Sequence, residues 1–184
     1  MVVVRPGDSP RLGAAEVILN LCLAEHLYSR ERLAAIAADE EAVLTAWDEG
    51  AVLGAAVARL LHPNDAGYYA DFGAAATDLF RRHRIGSLEA LAVDESQRHQ
   101  GIGRRLTLEQ MSWMARRGCD VAVAISWLSG GKGTSAGMYR DLGFQATPPV
   151  PDFYLAESAL AGWTCPVCRG ACRCAATFCW RQLR

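Results

Sequence analysis

The chain has 184 residues, 51% of them hydrophobic, with a formal net charge of −1 at pH 7. That suits one domain with a full-sized core, and it argues against a protein held to nucleic acid by bulk electrostatics. The apolar runs fall short of a membrane span and the opening MVVVRPGDSP lacks a signal-peptide core, so the chain reads as soluble and cytoplasmic.

VVVRPG reads as a short strand that stops at Pro6-Gly7. From about Ala14 to Ala38 the pattern predicts two helices broken near Tyr28-Ser29. EAVLTAWDEGAVLGAAVARLL reads as two strands joined by a turn at Asp48-Glu49-Gly50, where Asp and Gly supply the turn chemistry. HPNDAG is a loop, YYADFGAAATDLFRRHR a helical excursion and SLEALAVD a strand. GIGRRLTLEQMSWMARRG predicts a helix ended by Gly118, with Arg105, Glu109, Ser112 and Arg116 in one narrow polar wedge. VAVAISWL is a continuous apolar run, as expected of a strand buried on both faces. GTSAGMYRDLG is a second helix, and FQATPPV and DFYLAESAL close the series as two more strands, a hairpin. The order predicts a mixed α/β sheet.

The stretch that asks for a ligand is RHQGIGRR, Arg98 to Arg105, between a strand and a helix. Glycines there let the backbone turn sharply and approach a ligand, and the first-turn N–H groups of the helix favour an anion. A dinucleotide fingerprint fails, because Leu106 stands where the third glycine belongs and no acidic residue follows the next strand. SGGKGTS, Ser129 to Ser135, is not a P-loop, because Gly133 separates Lys132 from any hydroxyl; it reads as a loop with Lys132 solvated.

VDESQRHQGIGRRL, with its R-x-x-G-x-G, resembles the acetyl-CoA-binding signature of the GNAT acyltransferase superfamily, and MYRDLGF, Met138 to Phe144, resembles that superfamily's later Y-x-x-L-G-F element. The helix, buried strand and helix between them are also the family's. The resemblance implies an α/β fold with a mixed, mostly antiparallel central sheet flanked by helices. It implies an N-acetyltransferase that uses acetyl-CoA on a primary amine of a small molecule or peptide, and it allows a homodimer. It places pyrophosphate on Arg98, His99, Gln100, Gly101, Ile102, Gly103, Arg104 and Arg105. It lays pantetheine along Leu91, Ala92 and Val93, where the strand parts from its neighbour. Tyr139 matches the family's thiolate-protonating tyrosine; a core tyrosine is the structural alternative. Glu89, on a strand face shared with Leu91 and Val93, is the candidate base, against an edge glutamate in water or in an ion pair. Where the family often has Asn on the second strand, this chain has Ser126-Trp127. A CoA-binding regulatory module without turnover is the competing function.

Residues 1–50 hold nine acids and four bases, a balance of −5, which points toward a cationic acceptor unless it marks an ordinary solvated helix face. His26 on the first helix is a further candidate for the acceptor pocket.

Of seven cysteines, Cys22 and Cys119 stand alone in apolar surroundings and read as core residues. The other five lie in CPVCRGACRC, Cys165 to Cys174, and at Cys179. In a reducing compartment such clustering favours a metal over disulfides, and the first pair has the knuckle spacing that lets two thiolates converge on one zinc ion. WTCPVCRG resembles the opening of the cysteine-rich zinc modules of some chromatin proteins over about a dozen residues; no nucleic-acid function is carried over. With five thiols for four positions, the expected structural zinc ligands are Cys165, Cys168, Cys174 and Cys179, Cys174 being preferred over Cys172. A redox dithiol pair, a disulfide-clamped tail and buried free thiols are the rival readings. The expected organisation is an acetyltransferase domain over 1–160 and a cysteine-rich tail over 161–184.

Overall fold

A computed structural model of the chain describes residues 3–6, 9–38, 41–129 and 135–183. Seven strands form one sheet in the order β1-β2-β3-β4-β5-β7-β6. They are β1 (Val3–Pro6), β2 (Ala42–Asp48), β3 (Ala51–Leu61), β4 (Ile85–Val93), β5 (Val121–Leu128), β6 (Gln145–Ala146) and β7 (Ala175–Gln182). Only β4 and β5 run parallel; every other pairing is antiparallel. The expected mixed, mostly antiparallel α/β sheet flanked by helices is the observed one.

One face of the sheet carries α1 (Ser9–Cys22) and α2 (Arg30–Ala38), then a 3-10 segment (Pro63–Phe72) that runs into α3 (Ala74–Arg82). Leu12, Leu19 and Leu33 bury against Val43, Val57, Ala90 and Ala92, and Tyr69, Phe72 and Phe80 bury against Val121, Val123 and Phe178. The other face carries α4 (Ile102–Arg116) and α5 (Ala136–Asp141). There Ile102 and Leu106 sit on Leu44 and Ala56, and Met111 and Met114 on Leu88 and Ala122. Gly86 makes this packing possible, since a Cβ on it would stand 2.5 Å from Met114 Cγ. β5 is covered on both sides, as its unbroken apolar run requires.

The C-terminal third departs from the sequence expectation. FQATPPV contributes only the two residues of β6 and a bridge from Val150 to Ala176. Pro148, Pro149 and Pro151 lack the N–H donors a ladder needs. DFYLAESAL is no strand: a turn leads into α6 (Leu155–Ala161), whose alanine-rich LAESALA has high helix propensity. The place beside β5 is taken by β7, and the tail expected over 161–184 therefore does not stand apart, because its last third is a central strand of the sheet. Of the SGGKGTS loop, residues 130–134, Lys132 among them, lie outside the described residues.

Candidate active site

β4 and β5 pair over three residues only, Ile85–Val121, Gly86–Ala122 and Ser87–Val123, and then part. The cause is visible on the other side of β4. Against β3, Val57 pairs with Ala90 and Ala58 with Leu88, so Glu89 is an extra residue, a bulge. A bulge bends its strand and re-aims its side chains. Before it, Leu88 faces α4 with Met111; after it, Leu91 and Val93 face α4, and Ala90 and Ala92 face α1. Glu89 therefore stands with Ser87 and Ala90 on the α1/α2 side. The expectation that it shares a face with Leu91 and Val93 fails, because strict alternation does not survive the bulge.

Gln110 holds this distortion in place. It is fully buried in α4, and its Nε2 donates to the carbonyls of Val57 (2.7 Å) and Ala90 (3.3 Å). A buried carbonyl without a donor costs about 1–3 kcal/mol, so Gln110 offsets what the bulge would otherwise lose.

The gap opens into a cleft of ≈ 330 Å³. The strand side supplies Ser87 to Leu91, the far wall Ile125, Trp127 and Tyr139, and the remaining walls come from the loop after α1, the 3-10 segment and residues 154–172. Beyond Ser87, among the described residues, no strand pairs with the outer edge of β4, so alternate backbone groups of residues 88–93 face the gap.

At one end of the gap lies the glycine turn. His99 (φ 65°) and Gly101 (φ 78°) adopt left-handed backbone and bring the chain sharply into α4. No side chain caps the helix at Gly101, and its first hydrogen bond in this turn is Arg105 N–H to Gly101 O at 3.0 Å. The amides of Ile102, Gly103 and Arg104 thus precede the helical ladder, as an anion site needs. Gln100, Gly101, Arg104 and Arg105 are exposed, whereas Ile102 is buried and anchors the turn. Arg98 is turned inward: Nε donates to Val93 O (3.3 Å) and Nη2 to Cys22 Sγ (3.7 Å), which ties the turn to the end of β4.

Tyr139 lies in the cleft wall, 3% exposed, its ring 5.1 Å from that of Phe144. Burial raises its phenol pKa well above the usual value, against a hydrogen bond with Ser135 that lowers it. Ser135 Oγ in turn lies 3.1 Å from Ser126 Oγ on β5. Ser126, where the family often has Asn, thus ends a chain of three hydroxyls that the motif alone did not disclose.

Glu89 receives a hydrogen bond from Ser87 Oγ (3.2 Å) and lies 3.7 Å from Arg59 Nε. Arg59 also faces Glu41 (3.9 Å) and Asp65 (3.7 Å). A groove of ≈ 400 Å³ beside the cleft is lined by four carboxylates, Glu41, Asp65, Glu89 and Glu157, against Arg32 and Arg59. Among the described acids of residues 1–50, Glu41 alone lines it, so the −5 balance of that region was mostly not a signal of the site. Glu157, on α6, accepts from Tyr68 Oη at 2.8 Å and is one of the site residues that sequence reasoning missed. His26 lines the cleft, while His99 is exposed on the turn.

Cys165, Cys168, Cys172 and Cys174 bring their sulfurs within 4.8 Å of one another. Cys179 is not among them. It lies within β7, opposite Ala124, buried with Met111, Tyr139 and Phe144. Five residues along a strand is roughly 16 Å, which carries it out of reach of Cys174. Cys172, passed over at the sequence level, takes the fourth place.

The family profile described as Acetyltransferase (GNAT) family matches residues 16–144. The chain belongs to the GNAT acetyltransferase family. No curated protein sequence matches it. Among solved structures it is similar to the ribosomal-protein-S18-alanine N-acetyltransferase of Escherichia coli, at 17% identity and a TM-score of 0.66, over 100% of this chain and 94% of that one. It is similar to a polyamine N-acetyltransferase of Drosophila melanogaster that forms N-acetylagmatine (17% identity, TM-score 0.65, 99% of this chain and 100% of that one). It is also similar to yncA of Salmonella typhimurium, solved with its cofactor acetyl-CoA (21% identity, TM-score 0.65, 100% and 94%). Among the described residues no helix is long and apolar enough to cross a membrane.

Proposed function

We propose that this chain transfers an acetyl group from acetyl-CoA to a primary amine of a small molecule or peptide by direct attack. The observation that supports the reading is the parting of β4 from β5 after Ser87–Val123, which opens a cleft at Leu88 to Leu91 beside the phenol of Tyr139, while the uncapped start of α4 lies further along the same strand, with Gly103 next to Leu91, Val93 and Met138. Pyrophosphate rests on the turn from Gln100 to Arg105, held by the amides of Ile102, Gly103 and Arg104, with the Arg104 and Arg105 side chains adding charge. Arg98 works from behind by fixing the turn. Pantetheine follows the open edge of Leu91, Ala92 and Val93, where backbone N–H groups that face the gap hold it and polarise the thioester carbonyl.

The amine nitrogen attacks the carbonyl carbon, the carbon–sulfur bond breaks, and two protons move. The amine's proton goes to Glu89, directly or through water. The departing thiolate takes a proton from Tyr139, which reloads through Ser135. Burial keeps Tyr139 protonated, so it arrives at the reaction as an acid. The four carboxylates against two guanidinium groups of the adjacent groove favour an acceptor that carries further positive charge, such as a polyamine or a basic peptide.

The test is thiol release from acetyl-CoA with a panel of polyamines, aminoglycosides and peptides with basic N-termini, with product mass confirming the acetyl group. Turnover on at least one cationic amine is expected. Tight acetyl-CoA binding with no turnover on any amine would instead favour a CoA-binding module.

A further inference from the structure

The four clustered cysteines are not an appendage. Residues 163–172 form one wall of the cleft, and Cys165 and Cys172 themselves line it beside Trp163. Thr164 exchanges both backbone hydrogen bonds with Glu25 in the loop after α1 (N–H to Glu25 O 3.4 Å; O from Glu25 N–H 3.2 Å). Cys172 N–H donates to Ser158 Oγ on α6 at 2.8 Å. The cysteine segment therefore joins two other pieces of the acceptor side, the loop through Tyr28 and the helix that carries Glu157.

The segment's own geometry is that of a metal knuckle. Arg169 is left-handed (φ 56°) and followed by Gly170, whose carbonyl accepts from Cys165 N–H at 3.0 Å, so the chain folds back after Cys168. Cys168 N–H points at Cys165 Sγ (3.4 Å) and Arg173 N–H at Cys168 Sγ (3.3 Å), the contacts that stabilise thiolates. A tetrahedral zinc with Zn–S near 2.3 Å sets its sulfurs about 3.8 Å apart. Cys168 and Cys174 are already 3.7 Å apart. Cys165, Cys172 and Cys174 are buried against Trp127, Tyr154 and Trp163, which shield the cluster from water.

We propose that Cys165, Cys168, Cys172 and Cys174 bind one zinc ion, and that the ion fixes the acceptor wall of the cleft rather than the fold. Four thiolates close the coordination sphere, so the ion has a positioning role and no open site for chemistry. β7, which begins at Ala175, is held by its ladders to β5 and β6. Loss of the ion thus loosens residues 162–174 and, through the Thr164–Glu25 pairing, residues 23–28, while the sheet and the glycine turn stay intact. The wall half of the proposal rests on the acetyl-transfer reading; the metal half does not.

The experiment uses the full chain, purified under reducing conditions without chelator. Elemental analysis should give about one zinc per chain, and cobalt(II) substitution should give thiolate-to-metal charge-transfer bands. Cys168→Ser is the main variant because Cys168 is the exposed ligand and its loss spares the core. It should lose zinc, raise the acceptor KM roughly tenfold or more, equivalent to about 1.4 kcal/mol, and leave acetyl-CoA affinity unchanged. Hydrogen exchange should quicken at 23–28 and 162–174 but not in β7. Cys179→Ala should keep its zinc. Zinc-free protein with two disulfides by mass mapping would overturn the site, as would zinc kept by Cys168→Ser and lost by Cys179→Ala. Zinc loss without a change in acceptor KM or in exchange at 23–28 would overturn the wall. Should no amine be turned over, the acetyl-transfer reading fails, and zinc content with exchange at 23–28 still decides this one.

Discussion

The two ends of the proposed site are built in opposite ways. The glycine turn is one continuous stretch, Gln100 to Arg105, whose proposed function rests on local backbone: left-handed glycine, uncapped helix start, buried Ile102. The acceptor end is assembled from the loop after α1, the 3-10 segment, a bulge in β4, helix α6 and the cysteine segment. A contiguous site announces itself in sequence, because its spacing is its geometry. An assembled site does not, because no one of its pieces carries a pattern by itself. The difference fits the division of labour the family membership implies, one shared cosubstrate and an acceptor particular to each member.

The largest expected effect lies where the two ends meet. Tyr139→Phe should lower kcat by ~10²–10⁴ with acetyl-CoA affinity unchanged, since the lost proton acts on the departing thiolate and not on the bound ground state. Steady-state kinetics beside calorimetry checks this; an unaltered kcat would return Tyr139 to the core. Next is the contiguous end taken alone. A Cβ at Gly103 would stand 3.7–3.9 Å from side chains of Val93, Met138 and Leu91, ordinary contact that the fold accepts. Gly103→Ala should therefore fold and bind, while Gly103→Val pushes methyls into the gap and should weaken acetyl-CoA on the order of 100-fold, about 2.8 kcal/mol. Equal affinity by calorimetry in wild type and Gly103→Val would sink the assignment.

These two residues stand out as candidates in the sequence because each sits in a motif with a physical reason for its spacing. The succession of elements through β5 was legible in the sequence, from apolar periodicity and from Asp48-Glu49-Gly50. What was hidden required knowledge of distant neighbours. Glu89 was found as a residue but placed on the wrong face, since a bulge is set by the partner strand β3. Gln110 carries no sequence pattern of its own, and only the β4 distortion gives it a purpose. AATFCWRQ lacks apolar–polar alternation and falls inside the expected cysteine tail, so its place between β5 and β6 was given to a nearer hairpin that three prolines and a helix former exclude. Cys179 was misassigned for the same reason: counting spacings cannot show that a strand has begun.

Gln110→Leu sharpens the comparison from the assembled side. It removes both hydrogen bonds that Gln110 Nε2 gives to the carbonyls of Val57 and Ala90 inside the core and should cost about 1–3 kcal/mol by chemical denaturation. It should also lower kcat/KM through Glu89 while acetyl-CoA affinity changes little. An unchanged stability would mean that the bulge does not depend on α4.

The smallest effect is a pH dependence. Burial pushes the Cys179 thiol up to about 11 from an ordinary value near 9.0, and burial followed by the Glu89 charge pushes Tyr69 up to about 12 from 10.0. Both groups hold their protons more tightly in the folded state. The stability they contribute is whole below the unfolded values and is lost as pH rises through 9 to 11 for Cys179 and 10 to 12 for Tyr69. Tm should decline across that window, and Cys179→Ala should flatten its lower half. A decline that begins below pH 8 would point to other groups.

The proposed path of the cosubstrate runs from the glycine turn along the end of β4 to Tyr139, and the position of bound CoA tests that most directly. A crystal structure of the chain with CoA should show pyrophosphate on the turn at residues 100–105, against the amides of Ile102, Gly103 and Arg104, pantetheine along Leu91 to Val93, and the sulfur within hydrogen-bond reach, about 3.5 Å, of Tyr139 Oη. Pyrophosphate bound away from the turn, or a sulfur that does not approach Tyr139, would contradict it.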